Sequence, residues 1–267
     1  MEPFQLRDKG GVVHLALPDW EPWALVAFST RIGGTSKPPY NTLNLGLHVG
    51  DESGRVIVNR KRFAQSLGLE ADALVSVRQV HGCHLVWAGA ARRGQGAFSW
   101  DESLQAADAL ATTERGLPLI TFYADCVPLY FLAPEGGVVA MAHAGWQGTV
   151  QQIGPLVVRE LCQQLELAPE QIWVAIGPHI GPCCYEVDER VALKIEALGV
   201  GGLTPGREGH WQLDLGETNR QLLLQAGIKP ENVWQSRYCT ACHSDLFFSH
   251  RKSGGKTGRM GALIMLK

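Results

Sequence analysis

The spacing of apolar positions predicts helices in four stretches of the chain. The first covers residues 53–67 and the second residues 148–167, whose first turn Gly154-Pro155 is expected to break. Two shorter helices are predicted over residues 187–198 and 217–226. In each stretch, one side of the helix is apolar enough to pack on a core.

Short apolar runs bounded by Gly, Pro or Asp predict the strands of a buried sheet. They are densest at residues 119–123, 129–132 and 138–142, and further runs lie at residues 12–17, 24–30, 75–80, 85–87, 172–176, 233–236 and 262–266. Residues 31–53 are rich in Gly, Pro, Asn and Thr and are predicted to form a long ordered loop. The mixture predicts an α/β (α+β) fold in a single domain spanning residues 1–267.

The composition of the chain limits the classes of function that it can have. The chain has 267 residues, of which 45% are hydrophobic and 19% charged, with a net charge of -2. A chain of this kind can bury a large core, but it offers no basic surface for nucleic acid or an anionic membrane. The N-terminus lacks the pattern of a secretion signal, and the seven cysteines are irregularly spaced. We therefore expect a cytoplasmic protein with reduced thiols that acts on small molecules.

Three soft metal ligands follow predicted strands: His81, Cys126 and His143. Three protein ligands leave one position of a tetrahedral zinc ion open for water or substrate, as in catalytic sites. Their separations of 45 and 17 residues match no local zinc motif, so any convergence has to come from the fold. If they converge, the chain is an enzyme.

The same residues leave two alternatives open. With Met141 as a weak axial ligand, the set resembles a copper site, but the nine histidines contain no His-x-His pair for an oxygen-reducing copper cluster. Cys126 is also a candidate nucleophile, activated by His81 or His143 with Asp125 as the orienting group. Because Asp125 and Cys126 are adjacent, an extended strand would point them in opposite directions, which favours a supporting role for Asp125.

A second group of cysteines has its own alternatives. Cys239 and Cys242 form a Cys-x-x-Cys-His sequence typical of haem attachment, which would require export. Together with Cys183 and Cys184 they could form a four-thiolate zinc site, but adjacent cysteines rarely both bind one ion. Buried, small apolar side chains are the favoured interpretation.

Over nearly its whole length the sequence resembles the YfiH-like family of polyphenol oxidase or laccase-domain proteins, now regarded as zinc-dependent purine nucleoside phosphorylases. The segments that carry the resemblance are Ser29-Thr30-Arg31-Ile32-Gly33-Gly34, Leu43-Asn44-Leu45-Gly46-Leu47-His48-Val49-Gly50-Asp51, Gln79-Val80-His81-Gly82, Ala124-Asp125-Cys126-Val127-Pro128, His143-Ala144-Gly145-Trp146, Ile176-Gly177-Pro178, Cys183-Cys184-Tyr185-Glu186-Val187, Cys239-Thr240 and Phe248-Ser249-His250-Arg251.

This resemblance implies an α/β sandwich in which His81, Cys126 and His143 bind zinc, with copper as the other possible metal. It implies phosphorolysis of adenosine, inosine and S-methyl-5'-thioadenosine, together with deamination of adenosine. The chain departs from the family where it has Gln147 after the His-Ala-Gly-Trp segment, in place of the usual cation, and Lys252 in place of a second arginine. The first departure puts phosphate use in question.

These activities suggest roles for further residues. A zinc ion would lower the pKa of a water for attack on C6 of adenosine. Phosphorolysis needs cations for phosphate and a proton donor for the leaving purine, and the candidates are Arg31, Arg251 and the ring of His250. Asn44 and His48 are candidates for contacts with ribose or base. The rival functions are a Cys126-dependent hydrolase or editing factor acting on peptidoglycan precursors, and a metal-binding protein without catalysis.

Overall fold

A computed structural model describes all residues from Met1 to Lys267. The chain forms sixteen strands: β1 (Gln5–Lys9), β2 (Val12–Ala16), β3 (Ala24–Ser29), β4 (Val77–Arg78), β5 (Leu85–Trp87), β6 (Leu104–Ala106), β7 (Ala109–Thr112), β8 (Leu119–Tyr123), β9 (Val127–Ala133), β10 (Val138–Ala144), β11 (Trp173–Ile176), β12 (Glu186–Asp188), β13 (Leu203–Pro205), β14 (His210–Leu213), β15 (Val233–Gln235) and β16 (Met260–Leu266). The α-helices are α1 (Ser53–Ser66), α2 (Trp146–Val150), α3 (Ile153–Leu165), α4 (Glu189–Glu196) and α5 (Leu215–Gln225).

Two large sheets dominate the fold. One has the order β1-β2-β3-β16-β8 and is antiparallel throughout, and the other has the order β15-β11-β9-β10-β7-β5. The second sheet is mixed, because its two outermost pairs, β11–β15 and β5–β7, are parallel. Two small sheets, β12-β14-β13 and β4-β6, complete the set.

The sheets pack face to face, and helices cover their outer faces. Alternate residues of β10 show this arrangement: Met141 belongs to the cluster between the sheets, whereas Ala140 belongs to the cluster under the helices. Helix α1 covers the five-stranded sheet through Phe63, and α3, α4 and α5 cover the six-stranded sheet. The predicted mixed sandwich with flanking helices is confirmed.

The helical predictions are confirmed with two corrections. The break in residues 148–167 falls at Gln151-Gln152, where Gln152 has φ 58°, and Pro155 lies in the first turn of α3, where its missing N–H costs no helical hydrogen bond. The predicted helix over residues 187–198 is wrong at its start: Glu186–Asp188 pairs with β14, and the Asp188 side chain then caps α4 by accepting from the Val191 amide. No helix combines the length and apolar character that a membrane crossing requires.

Candidate active site

The three predicted ligands meet at one end of the six-stranded sheet. Donor atoms of His81, Cys126 and His143 all lie within 4.8 Å of one another. Cys126 directly precedes β9, and His143 lies near the end of the antiparallel strand β10, so both are at the same end of the sheet. His81 reaches it from the loop before β5 and is exposed, whereas His143 is buried. The fold thus provides the convergence that chain spacing could not show.

A buried carboxylate orients His143. Asp108 directly precedes β7, the neighbour of β10, and its carbonyl accepts the His143 amide at 2.7 Å. Its Oδ1 lies 2.8 Å from His143 Nδ1, and the Asp108 side chain is fully buried. A carboxylate at Nδ1 fixes the ring orientation and favours the tautomer that leaves the Nε2 lone pair available to a metal.

The same carboxylate holds the loop that carries His81. Three consecutive backbone amides donate to Asp108: those of Val80 at 3.1 Å, His81 at 3.0 Å and Gly82 at 2.7 Å. His81 has φ 59°, a left-handed conformation that is uncommon outside glycine. The amide contacts with Asp108 offset that backbone strain, and one side chain therefore positions both histidines.

Cys126 is presented by a turn that Asp125 stabilises. The Asp125 carboxylate accepts from the Thr240 hydroxyl at 2.6 Å and from the Arg251 amide at 2.7 Å. Its carbonyl accepts the Ile180 amide at 2.9 Å. Asp125 therefore tethers three segments around Cys126 and makes no hydrogen bond to a site imidazole. The predicted supporting role agrees with this, but the alternation argument does not apply, because Asp125 lies in a bend with φ 87° and not in an extended strand. The proposed triad with Asp125 as orienting group is wrong, because Asp108 occupies that place.

Gly145 leaves the space in which the donor atoms meet. A Cβ atom at this position would lie 3.0 Å from Cys126 Sγ and 3.1 Å from His81 Nδ1. A side chain here would therefore force the two donors to shift by a few tenths of an ångström. The donor set and the orienting carboxylate suit a metal ion that takes His and Cys ligands, a preference that zinc and copper share.

The electrostatics of the site couple His143 to its two neighbours. Desolvation lowers the pKa of His143, but the charges of Cys126 and Asp108 outweigh it and raise that pKa to about 9. For Asp108, burial alone would raise the pKa, and the hydrogen bonds from His143 and the loop amides lower it instead. Desolvation and the neighbouring His143 charge lower the pKa of His81. Without metal, His143 and Asp108 therefore form a buried ion pair.

Two arginines are linked to the ligand set: the Arg251 amide donates to the Asp125 carboxylate next to Cys126, and besides desolvation the charge of Arg259 contributes to the lowered pKa of His81. Arg251 is exposed, donates from Nη1 to the Glu186 carbonyl at 2.7 Å, and lies 5.0 Å from the centre of the Tyr185 ring. Its neighbour His250 is exposed. Arg259 is half-buried, and of its guanidinium nitrogens only Nη1 is hydrogen-bonded within the chain. Desolvation lowers the pKa of Arg259, and the charge of Cys126 opposes this shift.

The structure gives Arg31 a structural role. Its Nε donates to the Asn41 carbonyl at 2.9 Å and its Nη1 to the Ser244 carbonyl at 2.8 Å. The guanidinium group lies 4.7 Å from the centre of the Phe248 ring. These contacts join the long loop to the segment before His250, and they do not support the expected contact with phosphate.

Asn44 and His48 differ in whether their side chains are accessible to a substrate. Asn44 is fully buried; its Oδ1 accepts the Arg259 amide at 2.8 Å and its Nδ2 donates to Asp51 at 2.9 Å. A direct contact with substrate is not supported, and Asn44 instead positions Arg259. His48 is exposed, with its ring 4.4 Å from that of Trp100, and it remains available to a ligand.

The interpretation of the second cysteine group as buried apolar side chains is wrong. Cys183 and Cys242 are exposed, and only Cys239 is buried. The Sγ atoms of all four cysteines lie within 4.8 Å of one another. Turn geometry, which the sequence does not display, brings the adjacent pair and the Cys-x-x-Cys pair together.

Asp108 and Arg259 are the site residues that sequence reasoning missed. The signal for Asp108 was an aspartate between two alanines in an apolar stretch, where a charge needs a buried partner. Arg259 directly precedes the last strand, and no local pattern distinguishes it from a surface cation.

The family model described as multi-copper polyphenol oxidoreductase laccase matches residues 25–267. The chain belongs to this family, and the predicted resemblance is confirmed. The family description mentions copper, whereas the curated relatives are named for nucleoside chemistry.

Two relatives and one solved structure illustrate this. Purine nucleoside phosphorylase YlmD of Geobacillus stearothermophilus is 43% identical over 245 residues, which cover 90% of this chain and 89% of the relative. Adenosine deaminase RL5 from an unknown prokaryotic organism is 34% identical, covering 87% of this chain and 90% of the relative. The crystal structure of YlmD from Geobacillus stearothermophilus superimposes with a TM-score of 0.95 at 39% identity, with both chains fully covered. These relatives support an enzymatic role.

Proposed function

We propose that this protein is a zinc-dependent purine nucleoside phosphorylase that acts on adenosine, inosine and S-methyl-5'-thioadenosine and also deaminates adenosine. The observation that carries the proposal is the convergence of the donor atoms of His81, Cys126 and His143 to within 4.8 Å of one another. The names of the relatives supply the reaction class.

His81, Cys126 and His143 are the residues that would hold zinc. When bound, zinc would act as a Lewis acid that lowers the pKa of a water toward neutrality. Asp108 keeps the His143 ring in the ligating tautomer and holds the His81 loop. The chain thereby arranges the donor set before a metal arrives.

Phosphorolysis joins phosphate to the anomeric carbon of ribose while the purine leaves, so the site needs cations for phosphate and a proton for the base. Arg251 and Arg259 supply the cations in this proposal; Arg259 replaces Arg31, whose guanidinium is bonded to backbone carbonyls. His250 is exposed beside Arg251 and is the proposed proton donor.

The two arginines offset the absence of a cation at Gln147, which lies exposed on α2. His48 beside Trp100 is the proposed contact for base or ribose.

A specific observation also favours a second candidate function, a Cys126-dependent hydrolase acting on peptidoglycan precursors. His143 lies between the Cys126 sulfur and the Asp108 carboxylate, which is the order nucleophile, base and orienting group. A thiol hydrolase of this kind would need no metal.

The deciding experiment incubates adenosine and inosine with the protein, with and without phosphate, and separates the products by chromatography. We expect phosphate-dependent release of adenine and hypoxanthine, with inosine formed from adenosine. Activity should disappear after chelation, return with Zn²⁺, and be absent in Cys126→Ala. Absence of nucleoside turnover, together with cleavage of a peptidoglycan precursor that survives chelation and is lost on thiol alkylation, would favour the hydrolase instead.

A further inference from the structure

Four cysteines form a compact cluster that shares no residue with the three-ligand site. Cys183 and Cys184 lie in a turn between β11 and β12, and after β15 Cys239 forms an isolated bridge and Cys242 lies in a turn. The Cys242 Sγ is 3.5 Å from the Sγ of Cys183 and also 3.5 Å from that of Cys184. All four sulfurs lie within 4.8 Å of one another.

These distances suit one tetrahedral ion. Four thiolates about 2.3 Å from a zinc ion are separated from each other by about 3.8 Å, which lies within the range of the cluster. A disulfide, in contrast, would place two of the sulfurs about 2.05 Å apart. Four sulfur ligands in this geometry select zinc or iron among the common metals.

The backbone holds the cluster in place from both segments. The Gly181 amide donates to the Cys239 Sγ at 3.2 Å, a contact that stabilises a thiolate. The two segments also pair directly, because His179 and Cys239 form a parallel bridge and the Thr240 amide donates to the His179 carbonyl at 3.0 Å. The cluster therefore does not depend on the chance approach of mobile side chains.

We propose that Cys183, Cys184, Cys239 and Cys242 bind a structural zinc ion that is separate from the three-ligand site. Four protein ligands fill the coordination shell, so this second ion serves folding and not catalysis. It cross-links two segments that have little regular structure of their own, residues 177–185 and 236–249.

Two contacts connect the cysteine cluster to the surroundings of the three-ligand site. Thr240, within the Cys-x-x-Cys pair, donates to the Asp125 carboxylate that holds the Cys126 turn. Tyr185, next to Cys184, lies under the guanidinium group of Arg251. Loss of the structural ion should therefore loosen the surroundings of Cys126 without removing any of its three ligands.

The test is a count of metal per chain in purified protein that has been dialysed against a weak chelator under reducing conditions. We expect two zinc ions per chain in the wild type, one in Cys126→Ala, and one in the double variant Cys183→Ser/Cys242→Ser. Cys162→Ser, which alters a half-buried cysteine on α3 outside both clusters, should retain both ions. Circular dichroism of every variant establishes whether the fold is retained.

X-ray absorption at the zinc edge of Cys126→Ala gives an independent reading, because this protein should hold only the ion of the cysteine cluster. Four sulfur neighbours at about 2.3 Å are expected. A metal-free Cys126→Ala protein, iron in place of zinc, nitrogen neighbours, or a Cys183–Cys242 or Cys184–Cys242 disulfide in the peptide map would each overturn the proposal. None of these outcomes depends on nucleoside turnover, so the proposed function stands or falls separately.

Discussion

Asp108 Oδ1 lies 2.8 Å from His143 Nδ1, and the same carboxylate accepts three amides from the loop that carries His81. One buried acid thus positions both histidines of the candidate metal centre. A buried charge is tolerated only when it is fully bonded, and Asp108 achieves this by holding the ligands in place.

Asp108→Asn tests this role. The asparagine side chain is neutral and has only one acceptor oxygen, so it cannot bond to both His143 and the three backbone amides as the carboxylate does. We therefore expect zinc affinity to fall by about 10- to 100-fold, as for other residues that orient ligands. Competition titration with a chromophoric chelator measures the change, with both proteins carrying Cys183→Ser/Cys242→Ser so that only the three-ligand site binds zinc. Asp101→Asn, at an exposed position, is the control and should bind zinc like the wild type. An unchanged affinity in Asp108→Asn would contradict the orienting role.

Gly145→Ala tests the space between the donors. The added methyl would lie 3.0 Å from Cys126 Sγ and 3.1 Å from His81 Nδ1, so the donors have to move apart. Overpacking of this kind costs about 1–3 kcal/mol, which corresponds to a loss of about 5- to 150-fold in metal affinity. The matched control is Gly54→Ala on α1, where no atom lies within 4 Å of the new Cβ. Equal metal binding by the two variants would remove Gly145 from the site.

Arg251→Ala tests phosphate binding. Losing a charged donor costs about 1.5–3 kcal/mol, so the KM for phosphate should rise by about 10- to 100-fold. Deamination of adenosine, which uses no phosphate, should change much less. Arg251→Lys should recover part of the affinity, and Arg190→Ala, an exposed cation on α4, serves as the control. A phosphate KM that stays at the wild-type value in Arg251→Ala would exclude this contact.

The stability of the metal-free protein should depend on pH through His143. Its pKa is raised to about 9 in the fold, above the ordinary value of 6.5. A raised pKa means that the stabilisation is complete below pH 6.5 and is lost as pH rises toward about 9. Urea unfolding of metal-free protein between pH 6 and pH 9.5 measures this loss. In Asp108→Asn the loss should be smaller, because one of the charges that raises the pKa is gone.

Zinc binding should show the opposite dependence. The metal needs a deprotonated His143, so it competes with a proton up to about pH 9, and zinc affinity should rise with pH across the same window. Isothermal titration of the Cys183→Ser/Cys242→Ser variant, which keeps only the three-ligand site, in buffers of different ionisation enthalpy counts the released protons. Zinc binding without proton release at pH 7 would contradict the buried ion pair.

The metal-ligand residues and their positions at strand ends could be predicted from the sequence. His81, Cys126 and His143 could be selected because soft ligands beside glycine at strand ends are uncommon, and apolar runs located β8, β9 and β10 to within a few residues. The start of α4 could not be located, because Glu186–Asp188 becomes a strand only by pairing with β14, which is distant in sequence.

The four-cysteine cluster shows most clearly what sequence patterns cannot predict. The sequence displayed two pairs more than fifty residues apart, and local rules argued against adjacent ligands. The parallel bridge between His179 and Cys239 brings the pairs together, and no periodicity encodes such a bridge.

By itself the sequence determined the fold class, the candidate ligands and the family resemblance, because these depend on residue type and on short-range spacing. Tertiary structure alone decided that Asp108 holds both histidines, that Arg31 and Asn44 serve the loop, and that four cysteines form one cluster. These relationships join residues far apart in the chain, and their distances follow from sheet register and turn geometry, which a linear pattern does not contain.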